Sequence, residues 1–150
     1  LSIWIVGSKG FVLGVDLKHI QSFDQPNVRV VTGDVTEPQT IEQIKKLLPR
    51  PADAVISDVS PNISGIWELD HARQIDLAQQ SLRIATSILR PKGHFFVKVF
   101  QGDMLNDFVR EVKQNFAFVK LIKPKASRAK SAELYILGMN LKQAEWDVFC

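Results

Sequence analysis

Short apolar segments rich in β-branched residues alternate with segments of helical periodicity along this 150-residue chain. Such alternation favours a parallel sheet whose strands are connected by helices. The apolar segments are nearly continuous rather than alternating, which is typical of strands covered on both faces. The predicted fold class is therefore α/β, with a mostly parallel, doubly wound sheet.

The individual elements follow from the spacing of apolar residues and from turn residues. We predict strands at Phe11–Val15, Val28–Thr32, Ala54–Ser57, His94–Val99, Phe118–Ile122 and Leu134–Leu137. We predict helices at Thr40–Leu48, Asp70–Leu89 and Met104–Phe116, with Asp70 as a possible N-cap and Pro91-Lys92-Gly93 as the turn that ends the second helix. The segment Lys123–Glu133 is too short for a helical crossover, so at least one of the last two strands should be antiparallel.

Composition excludes several classes of protein. Hydrophobic residues are 45% and charged residues 23%, which excludes a disordered, collagen-like or coiled-coil chain. No apolar run approaches the roughly 20 residues that span a bilayer, so we expect no membrane association. The single cysteine, Cys150, cannot form an internal disulfide. We therefore expect a reducing, cytoplasmic location, and we expect the chain to be a monomer.

The basic residues are unevenly distributed. The formal net charge is only +3, but no acidic residue interrupts a run that contains Lys113, Lys120, Lys123, Lys125, Arg128 and Lys130. Such a run is either a solvated surface or a contact surface for nucleic-acid phosphates. The sequence alone leaves both interpretations open.

Three acidic residues follow predicted strands: Asp16, Asp34 and Asp58. Ligands of open α/β sheets bind at the carboxyl ends of the strands, so one cofactor could contact all three. An aspartate at the position of Asp16 is suited to accept hydrogen bonds from a ribose, although each residue alone could equally cap a loop. The glycine-rich turn that usually accompanies it is missing, because Gly7–Gly10 precedes the Phe11 strand. We expect the chain to begin in or just before a helix.

Lys98 is an unusual residue because it interrupts the apolar strand FFVKVF. A buried ammonium group requires a charged partner, and Asp58 and Glu133 are the candidates. The alternative is an exposed lysine near the end of the strand. His19, His71 and His94 lack metal-ligand spacing, so we expect structural or surface roles and no metal site. Trp67 either lines a pocket or packs structurally.

Three motifs occur in order: SDVSPNISG at 57–65, FVKVFQG at 96–102 and SRAKSAELY at 127–135. Together they strongly resemble the RrmJ/FtsJ family of S-adenosylmethionine-dependent RNA ribose 2′-O-methyltransferases, which have a Rossmann-like fold. The segment DHARQIDLA at 70–78 is most similar to archaeal members that act on large-subunit ribosomal RNA. The resemblance extends from about Gly7 to Leu141, so we expect a methyltransferase domain at 1–141 and a tail at 142–150.

The resemblance implies roles for individual residues. The family uses a Lys-Asp-Lys-Glu tetrad, of which Asp58, Lys98 and Glu133 match three members. The first lysine of the tetrad, the first strand and the glycine-rich cofactor loop have no counterpart in this sequence. The cofactor S-adenosylmethionine should contact Asp16, Asp34 and Asp58. The residues Lys123, Lys125, Arg128 and Lys130 should then contact RNA phosphates beside the catalytic residues.

The implied reaction is transfer of a methyl group to a ribose 2′-hydroxyl of ribosomal RNA or of the large ribosomal subunit, with a uridine as the expected nucleotide. No metal is required, because the sulfonium group is already activated. Lys98 could act as a base, but carboxylates favour its charged form while burial disfavours it. The alternatives are methylation of a transfer-RNA ribose, a non-catalytic RNA-binding domain of the same fold, and a nicotinamide-dependent dehydrogenase, which only the fold and Asp16 support.

Overall fold

A computed structural model describes residues 2–3, 9–125 and 132–143 of the chain. Within these residues the chain forms one seven-stranded sheet and three α-helices. The strands are β1 (Ser2–Ile3), β2 (Val12–Asp16), β3 (Val28–Thr32), β4 (Ala52–Ser57), β5 (Leu89–Phe100), β6 (Phe116–Ile122) and β7 (Glu133–Leu141). The helices are α1 (Pro38–Leu47), α2 (Trp67–Ile88) and α3 (Leu105–Asn115).

The strand order across the sheet is β3-β2-β1-β4-β5-β7-β6. β2 pairs with β3 in parallel, as β4 does with β5, whereas β7 is antiparallel to both β5 and β6. The predicted α/β class with a mostly parallel sheet is confirmed, as is an antiparallel strand near the C-terminus. Five strands, β2 to β6, therefore run in the same direction. Their C-terminal ends form one edge of the sheet, which we call the carboxyl edge.

The first residues differ from the prediction. Ser2–Ile3 forms a strand between β2 and β4, antiparallel to both, where we expected the chain to begin in or just before a helix. A two-residue strand has no detectable sequence periodicity, and only its pairing with neighbouring strands defines it. Its neighbours β2 and β4, which run parallel to each other, supply that pairing.

The long helix α2 begins earlier than predicted. Its first residue is Trp67 and its N-cap is Ile66, so Asp70 lies inside the first turns and is not the cap. The apolar face is confirmed, because Ile75, Ala78, Leu82 and Ala85 are all buried. The helix ends at Ile88, and β5 begins at the next residue.

The start of β5 is also earlier than predicted. Pro91-Lys92-Gly93 lies within this strand and not in a separate turn. Lys92 has a φ of 64°, and the pairing of β4 with β5 shifts between Ala52 and Ala54. A Cβ atom on Gly93 would approach the Arg90 carbonyl oxygen to 2.9 Å, so this irregularity requires glycine.

A single apolar core joins the helices to the sheet. Alternate residues of β2, β4, β5 and β7, such as Leu13, Val55, Val97 and Ile136, pack in one cluster with buried residues from all three helices. The residues between them on the strands are less buried, as the alternating burial of β2 and β7 shows. The last four residues of β5, 97–100, are all buried, so this part of the central strand is covered on both faces.

None of the helices in the described ranges is both long enough and apolar enough to cross a lipid bilayer.

Candidate active site

The three aspartates that the sequence singled out meet at the carboxyl edge. Asp16 ends β2, Asp34 follows β3 and Asp58 follows β4, and all three line one pocket of about 520 Å³. Parallel strands produce this arrangement, because their C-terminal ends lie side by side. Loop residues from Val59 to Asn62 and Leu77 of α2 complete one wall.

Local hydrogen bonds fix the first two aspartates. The Lys18 backbone N–H donates to Asp16 Oδ1 at 3.2 Å, and the Gly33 N–H donates to the Asp16 carbonyl oxygen at 2.9 Å. Thr36 donates to Asp34 Oδ1 through its backbone N–H at 2.8 Å and its hydroxyl at 2.7 Å. These bonds, the backbone one first, hold the pKa of Asp34 below its usual value of 3.8. Within the described ranges, all of these side-chain bonds are made to Oδ1 of each carboxylate.

Lys98 is buried and ion-paired, as predicted. Only 8% of the residue is exposed, and its Nζ lies 3.2 Å from Asp58 Oδ1. The same ammonium donates a hydrogen bond to the Ser60 hydroxyl. The Asp58 side chain remains 68% exposed, so the pair lies at the boundary between the sheet and the pocket.

Buried Gln74 connects the loop after β4 to β5. Its Nε2 donates to the Lys98 carbonyl oxygen at 2.8 Å and to the Val59 carbonyl oxygen at 3.4 Å. The Gln74 side chain therefore links β5 to Val59, the residue that follows Asp58. In the described residues, Gln74 Oε1 itself has no hydrogen-bond partner.

Strand pairing brings two residues of β7 to Lys98. Tyr135 lies opposite Lys98, and Glu133 lies opposite Phe100. Paired residues of antiparallel strands project from the same face, so both β7 side chains share the face of Lys98. The Tyr135 ring stacks on Phe96 with centroids 4.9 Å apart.

The Tyr135 hydroxyl reports on the surrounding charges. Burial is the largest cause that raises its pKa above 10.0, followed by the negative charges of Asp58 and Glu133 and a hydrogen bond to Asp58. The neutral hydroxyl is thus the favoured form. Asp58 and Glu133, the two carboxylates predicted as partners of Lys98, therefore both raise the pKa of Tyr135, which lies opposite Lys98.

The loop between β4 and α2 is held by a buried carboxylate. Asp70, 4% exposed, accepts hydrogen bonds from the Ser64 N–H at 2.8 Å, the Ser64 hydroxyl at 2.7 Å and the Gly65 N–H at 3.1 Å. These bonds, led by the one from the Ser64 backbone, lower the pKa of Asp70 from 3.8. Gly65 has a φ of +89°, which a residue with a Cβ rarely adopts.

His71 joins α2 to the loop that follows β5. Its Nε2 accepts the Met104 backbone N–H at 3.1 Å, while its Nδ1 is buried and has no hydrogen-bond partner in the described part of the chain. A Cβ atom on Gly102 would lie 2.6 Å from the imidazole ring. Trp67 stacks over the same ring, with centroids 5.9 Å apart.

The histidines take structural or surface positions. His71 is buried, His94 Nδ1 accepts the Asn140 N–H at 3.3 Å, and His19 is exposed. Among the residues that the structure describes, no group of three or more histidine, cysteine, aspartate or glutamate side chains could hold a metal ion.

Part of the basic run reaches this edge of the sheet. Lys123 and Lys125 are exposed and directly follow β6, which runs parallel to β5. Ile122, the last residue of β6, pairs with Tyr135, which in turn pairs with Lys98. Arg128 and Lys130 lie outside the described residues.

Sequence reasoning missed three site residues: Ser60, Gln74 and Tyr135. All three lie inside segments that carry the resemblance, at 57–65, 70–78 and 127–135, and that was a usable signal. The contact of Gln74 with β5 itself depends on tertiary packing.

The comparisons with known proteins agree with this geometry. The family model of FtsJ-like methyltransferases matches residues 3–141. This chain belongs to the FtsJ-like methyltransferase family. The predicted resemblance is therefore confirmed.

Two archaeal relatives of this FtsJ-like chain are each named ribosomal RNA large subunit methyltransferase E. The protein of Methanocaldococcus jannaschii is 46% identical over 95% of this chain and 60% of its own length. The protein of Methanothrix thermoacetophila is 51% identical over 91% of this chain and 53% of its own length. The chain thus spans little more than half the length of these curated relatives.

Solved structures support the fold of this FtsJ-like chain. A Plasmodium falciparum protein described as a ribosomal RNA methyltransferase has a TM-score of 0.75 at 22% identity, over 86% of this chain and 71% of its own. Human methyltransferase-like protein 13, solved in complex with SAH, has a TM-score of 0.53 at 16% identity, over 86% of this chain and 57% of its own. At these identities the likeness concerns the Rossmann-like fold.

Proposed function

We propose that this chain carries catalytic residues of a cytoplasmic enzyme that methylates a ribose 2′-hydroxyl, on a uridine of large-subunit ribosomal RNA, with S-adenosylmethionine as methyl donor. The observation that carries the proposal is the buried Lys98 ammonium, 3.2 Å from Asp58 at the rim of a pocket with three aspartates. The names of the archaeal relatives support ribosomal RNA as the substrate.

The pocket at the carboxyl edge fits the proposed methyl donor. Its volume of about 520 Å³ lies within the usual range for cofactor sites. Asp16 would accept hydrogen bonds from ribose hydroxyls, Asp34 would hold the adenine end, and Asp58 would lie near the methionine end. When bound, the donor supplies an electrophilic methyl group on a positively charged sulfur.

Lys98 would hold the oxygen that accepts the methyl group. Its ammonium group is buried and directed by Asp58 and Ser60, so little reorganisation is needed when negative charge develops on the 2′-oxygen. A positioned donor also orients the acceptor for in-line attack, an effect that can lower a barrier by roughly 7–11 kcal/mol. We assign Lys98 to orientation and charge stabilisation.

Asp58 and Glu133 would keep Lys98 in place, with Tyr135 between them. The Tyr135 hydroxyl stays protonated and hydrogen-bonded to Asp58, because burial and the two carboxylates raise its pKa. Asp58 thereby has two partners, Lys98 and Tyr135. The proton of the ribose hydroxyl would leave to solvent at this edge, where the Asp58 side chain is 68% exposed.

The test of the proposal is transfer of a labelled methyl group from S-adenosylmethionine to unmodified large-subunit ribosomal RNA or subunits. Lys98→Ala should reduce transfer by at least about 100-fold, because it removes a preorganised donor at the reacting oxygen. Cofactor affinity, measured by calorimetry, should change less than about threefold, since Lys98 does not line the three-aspartate pocket.

Lys46→Ala is the matched control, because Lys46 is an exposed lysine in the last turn of α1 and does not line the three-aspartate pocket. It should retain full activity. Equal loss of transfer and of cofactor binding in Lys98→Ala would contradict the assigned role. Transfer to a transfer-RNA ribose in preference to ribosomal RNA would overturn the proposed substrate. RNA binding without any transfer would favour a non-catalytic domain.

A further inference from the structure

An exposed aromatic cluster lies next to the proposed catalytic lysine. It consists of Trp67, His71 and Phe100, with Trp67 stacked on the other two at centroid distances of 5.9 Å and 6.1 Å. His71 and Phe100 are only 4% and 8% exposed, whereas Trp67 is 46% exposed. The buried rings therefore support an indole that is nearly half exposed to solvent.

The surroundings of the indole are apolar although they are exposed. Four large side chains from the adjoining segments have exposures between 37% and 66%: Ile63, Ile66, Leu69 and Met104. Met104 is held beside the cluster, because its backbone N–H donates to His71. An exposed apolar surface of this kind indicates a binding site for an apolar or aromatic group.

The indole is held rigidly. Asp70 binds Ser64 and Gly65 immediately before α2, which fixes the start of the helix and hence Trp67. On the other side, Gly102 is packed so closely against His71 that a Cβ atom would lie 2.6 Å from the ring. A rigid aromatic surface loses little entropy when it binds a flat partner.

The position of the cluster relative to Lys98 identifies the partner. Phe100 lies two residues after Lys98 on the same strand and the same face, which corresponds to about 7 Å along β5. A ribose held at Lys98 carries its base on the carbon next to the reacting one, so that base can reach the indole above Phe100. On the opposite side of Lys98, across β7, exposed Lys123 directly follows β6 and so lies at the same edge of the sheet.

On the basis of the proposed function, we infer that Trp67 is the surface on which a base of the acceptor RNA stacks, with His71 and Phe100 as its support. Proteins that read single-stranded RNA stack bases on aromatic side chains, and such stacking is tolerant of base identity. The role of Trp67 is then to position the acceptor nucleotide, while Lys123 and Lys125 would contact phosphates.

The experiment compares two RNA hexamers, hexauridylate and a hexamer of the same length in which the two central bases are replaced by abasic ribose. Binding of each to the chain is measured by fluorescence anisotropy. Trp67→Leu should weaken hexauridylate binding about 5- to 100-fold, whereas Trp67→Phe should stay within about threefold. Neither variant should change the affinity for the abasic hexamer, because that RNA has no central base to stack.

Phe118→Leu is the matched control, because Phe118 is 60% exposed on β6 and lies outside the cluster. It should bind both hexamers like the unchanged chain. A loss of stability in Trp67→Leu would weaken the binding of both hexamers equally. Weaker binding of hexauridylate alone therefore indicates stacking. The inference would be overturned if the unchanged chain bound both hexamers with equal affinity. It would also be overturned if Trp67→Leu lowered the affinity for both hexamers by the same factor.

Methyl transfer separates this inference from the function on which it rests. If the unchanged chain methylates ribosomal RNA and Trp67→Leu has the same KM and kcat, the stacking role is wrong and the proposed function stands. If Trp67→Leu raises the KM for RNA and leaves cofactor affinity unchanged, the stacking role is supported. No transfer by the full-length protein would count against the proposed function, and the hexamer comparison would still decide the role of Trp67.

Discussion

At the scale of single residues, Lys98 shows how far sequence reasoning reaches. An ammonium group inside an apolar strand must be paired, and the pair with Asp58 is present at 3.2 Å. The contact with Ser60 could not be predicted, because it depends on the path of the loop after β4. The position of Tyr135 opposite Lys98 depends on the register of two strands that are far apart in sequence.

Gly102 carries a prediction about stability. A Cβ atom there would lie 2.6–2.7 Å from three atoms of the His71 ring, and His71 cannot move away without losing its hydrogen bond from Met104. Gly102→Ala should therefore lower the free energy of unfolding by about 1–3 kcal/mol, as overpacking typically does. Urea denaturation of the variant and the unchanged chain measures this difference.

Gly14→Ala provides the comparison for Gly102. A Cβ atom on Gly14 would meet Val30 at 3.6 Å, which is an ordinary van der Waals distance. This variant should be at least as stable as the unchanged chain, because alanine restricts the unfolded chain more than glycine does. Equal stability of Gly102→Ala and the unchanged chain would mean that His71 is not confined as the structure indicates.

At the scale of secondary structure, elements whose bounds depend on the local sequence were predicted well. Boundaries that depend on contacts with residues distant in sequence were not. The bounds of β3, Val28–Thr32, were predicted residue for residue. The start of α2 was missed by three residues, because hydrogen bonds from Ser64 and Gly65 to Asp70 define it rather than a capping side chain. The start of β5 was missed by five residues, because pairing with Ala52 extends this strand across a proline and a glycine.

The end of β6 carries a prediction about RNA binding. Lys123 and Lys125 are exposed and follow β6 at the carboxyl edge, beside the proposed acceptor site. If both contact phosphates, the double variant Lys123→Gln/Lys125→Gln should flatten the slope of log affinity against log salt concentration by about 1.4, or roughly 0.7 per contact with single-stranded RNA. Filter binding of ribosomal RNA across a salt series measures the slope.

A control for the salt experiment is Lys45→Gln/Lys46→Gln, at the end of α1. This double variant removes the same net charge, so it accounts for any general effect of charge on RNA binding. We expect its slope to match that of the unchanged chain. If both double variants flatten the slope equally, the lysines after β6 act only through net charge and belong to a solvated surface.

At the scale of the whole molecule, strand direction assembles the site. Asp16, Asp34 and Asp58 come from three strands, and they share one pocket because those strands run the same way. This could be predicted, since the parallel sheet followed from alternation of strands and helices. Which face of the sheet the helices cover could not be predicted from the sequence. Apolar strand residues look alike in sequence whether they are buried, as Val97 is, or half-buried, as Phe96 is.

The stability of the whole fold should depend on pH in the acid range. Asp34, Asp53 and Asp70 each have a pKa held below the usual 3.8, by hydrogen bonds from Thr36, Arg50 and Ser64 respectively. In the unfolded chain these carboxylates therefore bind protons at a pH at which they stay ionised in the folded chain. This contribution to stability is fully present above a pH of about 4 and is lost as the pH falls through the folded values.

Urea midpoints at pH 7, 5, 4 and 3 test this prediction, and Asp70 is the residue to change. The midpoint of the unchanged chain should vary little from pH 7 to about 5 and fall below about 4, because protonation of Asp70 weakens its bonds to Ser64 and Gly65. Asp70→Asn should be less stable at pH 7 and lose part of the acid-dependent fall. Asp24→Asn, at an exposed position between β2 and β3, should keep the full fall. If Asp70→Asn retains the pH profile of the unchanged chain, Asp70 does not hold the β4–α2 loop through its charged form, and the rigidity that we ascribe to Trp67 must come from His71 and Phe100 alone.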